Sequence, residues 1–193
     1  MEQKRLSRED WLRAARLALL HGGPDAVRIE KLARDLKVTK GSFYWHFRDR
    51  SALLEGLLRE WEEEKELLAE ALAQRDLRRA LADFFAELGR RVALSESGEW
   101  PSDAAIFAWA SVSPRIAGRA NREERKRIRL MKRWTSRPEL AEYVYMAYLG
   151  FLLWRRRVPA AARNFRTLAE VSTRLLLSAP ANGGRAARPK GDA

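Results

Sequence analysis

The sequence predicts an all-α chain of about nine helices. Apolar residues recur at three- and four-residue spacing along most of its 193 residues. No stretch alternates with period two, and glycine, proline and capping residues divide the periodic runs into helix-length pieces. No internal repeat is visible. Forty-six per cent of residues are apolar, enough for a packed core. No run is long enough to cross a membrane. The polar start MEQKRLSRED lacks the apolar segment of a secretion signal. The absence of cysteine excludes disulfides and thiolate metal sites. These features together lead us to expect a cytoplasmic protein. A formal net charge of +12 favours polyanionic partners such as nucleic acid, although charge alone is weak evidence.

Taken in order, residues before Leu6 form a short basic arm. Ser7 with Asp10 three residues on resembles a capping box and opens the first helix. Trp11, Ala15, Ala18 and Leu19 give it an apolar stripe, and Gly22-Gly23-Pro24 ends it. Arg28 to Leu36 is a second helix, with Ile29, Leu32, Ala33 and Leu36 facing a core. The pattern breaks at Lys37-Val38-Thr39, where Val38 plugs the gap and Thr39 supplies a capping hydroxyl. Lys40 to Phe47 is a third, two-turn helix whose Phe43 and Phe47 share the core face. Its remaining positions are polar, small or amphipathic aromatic. Tyr44, Trp45 and His46 are consecutive and cannot all point inward, so at least one is exposed.

Asp49 caps a long fourth helix from about Arg50 to Gln74. It carries Leu53, Leu54, Leu57, Leu58 and Trp61, and an acidic cluster at Glu60, Glu62, Glu63, Glu64 and Glu66 expected to be a solvated face. Further helices follow at Asp76 to Leu94, Asp103 to Ser111, Arg119 to Trp134, Pro138 to about Arg156, and from Pro159 to about Leu177. Residues 180–193, rich in Gly, Ala, Pro and Arg, are expected to be a disordered basic tail. Arg115 to Arg137 holds ten Lys/Arg against two Glu. A solvated face is the first reading of that segment. Cations for an anionic ligand, and a contact with other DNA or an acidic partner, are the others.

Two short helices joined by a tight turn, the second with a donor-rich outer face, form the layout of a helix-turn-helix. In that motif the second helix enters the major groove of DNA. Gly41 fits such a role, because a missing side chain lets the backbone approach closely. The stretch resembles the TetR family of bacterial transcription regulators. The matching residues are Leu32-Ala33, Val38-Thr39-Lys40-Gly41-Ser42-Phe43-Tyr44-Trp45-His46-Phe47 and Ala52-Leu53-Leu54. The resemblance covers roughly Asp10 to Trp61. It implies a dimeric, all-helical DNA-binding protein, usually a repressor released by a small ligand. It implies that Thr39, Lys40, Ser42, Tyr44, Trp45 and His46 face DNA. Two departures stand out. Lys37 occupies a turn position usually held by Gly, and Arg28 replaces a Ser or Thr cap, exchanging it for a phosphate contact. Arg50 joins the DNA-facing set as a cation beside the expected duplex.

The expected organisation is a helix-turn-helix domain at 1–50, a helical ligand-binding and dimerisation domain at 51–179, and the tail at 180–193. Tyr148, Phe151 and Leu152 with Phe165, Leu168 and Leu175 are the candidates for a dimer contact, the alternative being a monomer's core. Phe84, Phe107, Trp109, Trp134 and Tyr143 are the candidates for a ligand pocket, although each could equally fill a closed core. No cofactor is called for. Two histidines and no cysteine leave no nucleophile or metal-ligand constellation, so an enzyme is the minor reading. A non-specific architectural DNA binder is the other alternative. The leading expectation is a sequence-specific regulator that binds a double-stranded operator as a homodimer and answers to an unidentified small effector.

Overall fold

The structure is a computed structural model that describes residues 6–72, 77–133, 135 and 137–178, the side chains of 65–72 and 77 excepted. The expected arm before Leu6, the tail 180–193 and Trp134 lie outside the described residues. Among those described there are nine α-helices and no strand.

The first helix, α1 (Arg8–Gly22), opens on a capping box. The Asp10 amide donates to Ser7 Oγ at 3.2 Å and the Ser7 amide donates back to Asp10 Oδ2 at 2.7 Å. It closes at Gly23, whose φ of 69° suits a residue without a Cβ. Helices α2 (Ile29–Asp35) and α3 (Lys40–Tyr44) follow. The long α4 (Arg50–Leu72) starts where Asp49 Oδ1 accepts from the Ala52 amide at 2.8 Å. The rest of the chain is α5 (Leu77–Leu94), α6 (Asp103–Ala110), α7 (Pro114–Lys132), α8 (Pro138–Arg157) and α9 (Phe165–Leu177).

Two helix starts differ from expectation by several residues. Helix α7 begins at Pro114, five residues before the predicted Arg119, because the proline that stops α6 also sits well in a first turn. Helix α9 begins at Phe165, since Pro159–Asn164 forms 3-10 turns before it.

The apolar core is in two parts. Trp11, Leu12, Val27, Leu32, Phe43 and Phe47 gather α1 to α3 onto Leu53, Leu57 and Trp61 of α4, and Ile106 and Trp109 of α6 complete the cluster with Ile116 and Ala120 of α7. The division expected at residue 50 is therefore crossed by continuous packing. The second cluster joins Leu81, Phe84 and Leu88 of α5 to Val144, Tyr148 and Leu152 of α8 and Leu176 of α9. Phe107 touches both.

The acidic run is not a solvated face, whereas most of the basic run is, with Arg115, Arg122, Arg125, Arg129, Arg133 and Arg137 exposed. Arg119 of α7 reaches α4, with Nη1 at 2.8 Å from Glu55 and Nη2 at 2.5 Å from Glu62. Arg115 adds a contact to Glu55 at 2.9 Å. Arg16 of α1 takes Glu60 at 2.9 Å, and Arg91 of α5 takes the buried Glu64. Of the described cluster Glu63 alone stays exposed, and the side chain of Glu66 lies outside the described residues. Only the start of the basic segment, at Arg115 and Arg119, is stitched to the acidic helix.

A buried polar knot joins four helices. Asp103 of α6 accepts from Trp61 Nε1 at 2.7 Å, Tyr148 Oη at 2.6 Å and Arg127 Nη1 at 3.2 Å. Burial works against the Arg127 charge, but the carboxylate beside it outweighs that and holds the guanidinium above its ordinary range. Burial first, and Asp103 second, push the Tyr148 phenol well above its usual value, so it stays a neutral donor.

Candidate nucleic-acid interface

The reading face is built from α2, the turn and α3. Helix α2 starts on Arg28, which takes the extended N-cap conformation without a side-chain cap. Its core face is Leu32 and Ala33, both buried. Leu36 ends it, and Lys37 follows with φ 57°, the one non-glycine residue at positive φ among those described. That conformation costs a side-chain-bearing residue about 1 kcal/mol. The Val38 amide then donates to Ala33 O at 2.9 Å, and the half-buried Val38 packs on the head core.

Thr39 occupies the N-cap of α3 with extended backbone, but its hydroxyl makes no capping bond. The turn is held instead by the Ser42 amide donating to Thr39 O at 3.1 Å. Regular helix ends at Tyr44, short of the expected two turns, although the Phe47 amide still donates to Phe43 O at 3.0 Å. Phe43 anchors this piece. It is fully buried, meets Trp11 edge-on at 5.2 Å and stacks on Phe47 at 5.5 Å. With that side fixed, Tyr44 and Trp45 must leave the protein, and they are 58% and 83% exposed. Two large aromatics so exposed on neighbouring positions need a partner surface.

The other expected contact residues fall into two groups. Arg28, Thr39, Lys40 and Gly41 are exposed and Ser42 is half-buried beside them. Lys40 Nζ lies 3.1 Å from Glu30 Oε1. The Glu30 carboxyl is held below its ordinary value, by its own backbone amide first and by Lys40 second. His46 and Arg50 are committed to the protein itself. His46 Nε2 donates to Leu6 O at 2.9 Å, and Arg50 Nε donates to Val27 O at 2.7 Å with a further bond to Pro24 O. Arg50 thus fastens the start of α4 to the turn before α2. Residues 28–50 hold seven Lys/Arg against three acids, so this side of the head presents net positive charge.

Residues 12–57 match the family model of bacterial regulatory proteins of the tetR family. The head is a TetR-family DNA-binding domain. Among solved structures, a transcriptional regulator (TerR/AcrR family) from Aquifex aeolicus VF5 is similar in fold along nearly the whole length. It is 17% identical with a TM-score of 0.59, covering 86% of this chain and 95% of that one. A TetR variant from Acinetobacter baumannii AYE in complex with minocycline aligns at 20% identity and a TM-score of 0.42, covering 90% of this chain and 96% of that one. No curated protein matches the chain by sequence.

Beyond the TetR-family head, the residues singled out from the sequence are dispersed. Phe84 and Trp109 are buried in separate core clusters, Phe107 is half-buried between them, and Tyr143 is exposed on α8. They do not converge on one cavity. Tyr148, Phe151 and Leu152 face the chain's own core, and Phe165 and Leu168 pack against its edge, with Leu175 half-buried on α9. The outer face of α8 carries other residues, namely Tyr143, Met146, Leu153 and Trp154 around Gly150. A helix apolar on most sides let the sequence point to the face but not choose between the faces.

A cavity of about 410 Å³ opens where α1, α5, α6 and α8 meet. Leu20 of α1, Leu88 and Val92 of α5 and Leu152 of α8 give it apolar walls, and Arg91, Asp103 and Arg155 lie in the same lining. Burial first, and the nearby Arg127 charge second, bring Arg91 down to about 10. Sequence reasoning missed this site. Its one advance signal was a charge set within apolar spacing, as at Arg91 between Leu88 and Val92.

Proposed function

We propose that this chain is a sequence-specific transcriptional regulator that binds its operator as a homodimer and is a repressor released by a small effector. The observation that carries this is the outer side of α3. It offers Lys40, Gly41, Ser42, Tyr44 and Trp45 to solvent while Phe43 and Phe47 fix the same segment into the core. Lys40 and Ser42 meet base edges, while Tyr44, Thr39 and Arg28 hold phosphates. Trp45 lies along the sugar-phosphate wall. His46 and Arg50 support the head rather than touch DNA, in keeping with their bonds to backbone carbonyls.

Two heads must sit one helical turn apart, about 34 Å, to read a symmetric operator. The apolar outer face of α8 is the surface for that pairing, extended by the exposed Val171 of α9. The cavity between α1, α5, α6 and α8 is the effector site, and its volume lies in the usual range for small ligands.

The test is selection of bound sequences from a random DNA pool, followed by affinity measurements on the selected site. The expected outcome is a palindromic site. Lys40→Ala costs about 1–3 kcal/mol on that site and little on random DNA. Tyr44→Ala weakens both, and helicity is unchanged in each variant. Equal binding to all sequences, at any salt, overturns the specific reading in favour of an architectural binder.

A further inference from the structure

We propose that the effector is an amphipathic small molecule carrying a carboxylate, which displaces Glu96 from Arg155 at the mouth of the cavity. The proposal rests on the effector reading above and names the chemistry of that ligand. Arg155 is buried to 11% exposure, yet its acid partner Glu96 is 64% exposed on a surface turn. Nη1 donates to Val92 O at 3.3 Å, and Nε has no hydrogen-bond partner among the described residues. A guanidinium taken out of water needs an anion, and losing it altogether is costly. The exposed carboxylate that now supplies it returns to water at little cost. Only another anion can take its place, and a planar carboxylate can fill the guanidinium fork that Glu96 meets through Nη2.

The deeper acids do not offer a comparable exchange. Asp103 already accepts from Trp61, Tyr148 and Arg127, and Glu64 is buried against Arg91. A cationic ligand would have to break those bonds. The apolar walls at Leu20, Leu88, Val92 and Leu152 take the body of the ligand.

The exchange acts on the DNA head because Glu96 sits on the 95–99 turn, and that turn grips α1. Arg16 of α1, itself buried, donates from Nε to Gly98 O at 2.6 Å. Arg13 donates to Ser97 O at 3.3 Å and lies 3.6 Å from Glu99. Gly98, at φ 72°, lies so close that a Cβ there would come within 2.7 Å of Leu17 Cγ. Releasing Glu96 therefore loosens the turn that clasps the first helix of the head.

The experiment titrates the full chain with octanoate and 2-naphthoate by calorimetry, with octanol and 2-naphthamide as neutral counterparts. The carboxylates are expected to bind saturably, about tenfold or more tighter than the neutral compounds. Glu96→Gln removes the internal competitor and tightens carboxylate binding several-fold. Arg155→Met abolishes it. Equal affinity for charged and neutral probes, no saturable binding of either carboxylate, or unchanged or weaker binding in Glu96→Gln overturns the proposal. Glu96→Gln keeps the test decisive if Arg155→Met fails to fold. Operator binding measured on the same preparations separates the two readings. Intact specific DNA binding with no carboxylate binding sinks this inference alone. Carboxylate binding that strengthens in Glu96→Gln without any specific DNA binding upholds the ligand site and sinks the regulator reading.

Discussion

Lys40 and Glu30 hold each other on the open side of the head, 3.1 Å apart and both exposed. An approaching phosphate must compete with the glutamate for the lysine, and it meets the glutamate's own repulsion. Glu30→Gln is therefore expected to tighten binding to selected and random DNA alike by a few-fold, most clearly at low salt. Fluorescence anisotropy on the two DNAs checks this, and a gain confined to the selected site would mean Glu30 takes part in base reading. At this scale much was legible. Three consecutive large side chains on one short helix cannot all be buried, and that reasoning required at least one of Tyr44, Trp45 and His46 to be exposed; Tyr44 and Trp45 are the two that are. It could not foresee which of the remaining polar groups would be spent on the protein. His46 turns to Leu6 O and Arg50 to Val27 O, bonds made across 40 and 23 residues that no local pattern encodes.

Among the elements, the start of α4 depends on Asp49. Its carboxyl is held below the ordinary 3.8, by the Ala52 amide first and by Arg48 next. A carboxyl with a depressed folded value stabilises fully above its unfolded value and loses that contribution as pH falls through the folded one. The Tm difference between the native chain and Asp49→Ala is thus expected to be largest above about pH 4 and to shrink on further acidification. A difference that stays constant down to pH 2 would show that the charge is not what matters. The outer face of α8 supports a second expectation. Leu153 is 68% exposed in a stripe with Met146 and Trp154. Leu153→Glu should give a folded monomer by sedimentation with weakened operator binding, since two linked heads bind far more tightly than one. The caps of α1 and α4 were readable from Ser7 and Asp49 because capping is a local bond. The true start of α7 was not, because Pro114 serves two helices and a breaker reads the same from either side.

For the whole molecule, the decisive pattern is charge pairing between helices distant in sequence. Arg119 binds Glu55 and Glu62, 64 and 57 residues away, and the Asp103 knot ties α4, α6, α7 and α8 together. One-dimensional reading assigned the acidic and basic runs to solvent, which holds for most of the basic run but misses Arg119, Arg127 and the acids they and their neighbours engage, because nothing in either run names its partner. Removing the knot's centre should be felt throughout. Asp103→Ala leaves the buried Arg127 without its nearest carboxylate and is expected to cost about 3–5 kcal/mol in chemical denaturation. A loss below about 1 kcal/mol would show that the chain readily rehouses that charge.

Helix α8 bears a final consequence. Tyr148 and Leu152 line the cavity, while Leu153 on the next position looks outward. In the proposed dimer, a rod with an occupant on one flank and a sister chain on the other acts as a cam. Any guest that rolls it slightly changes the angle between the two halves of the pair, and a rigid duplex tolerates little error in where its two grooves are met.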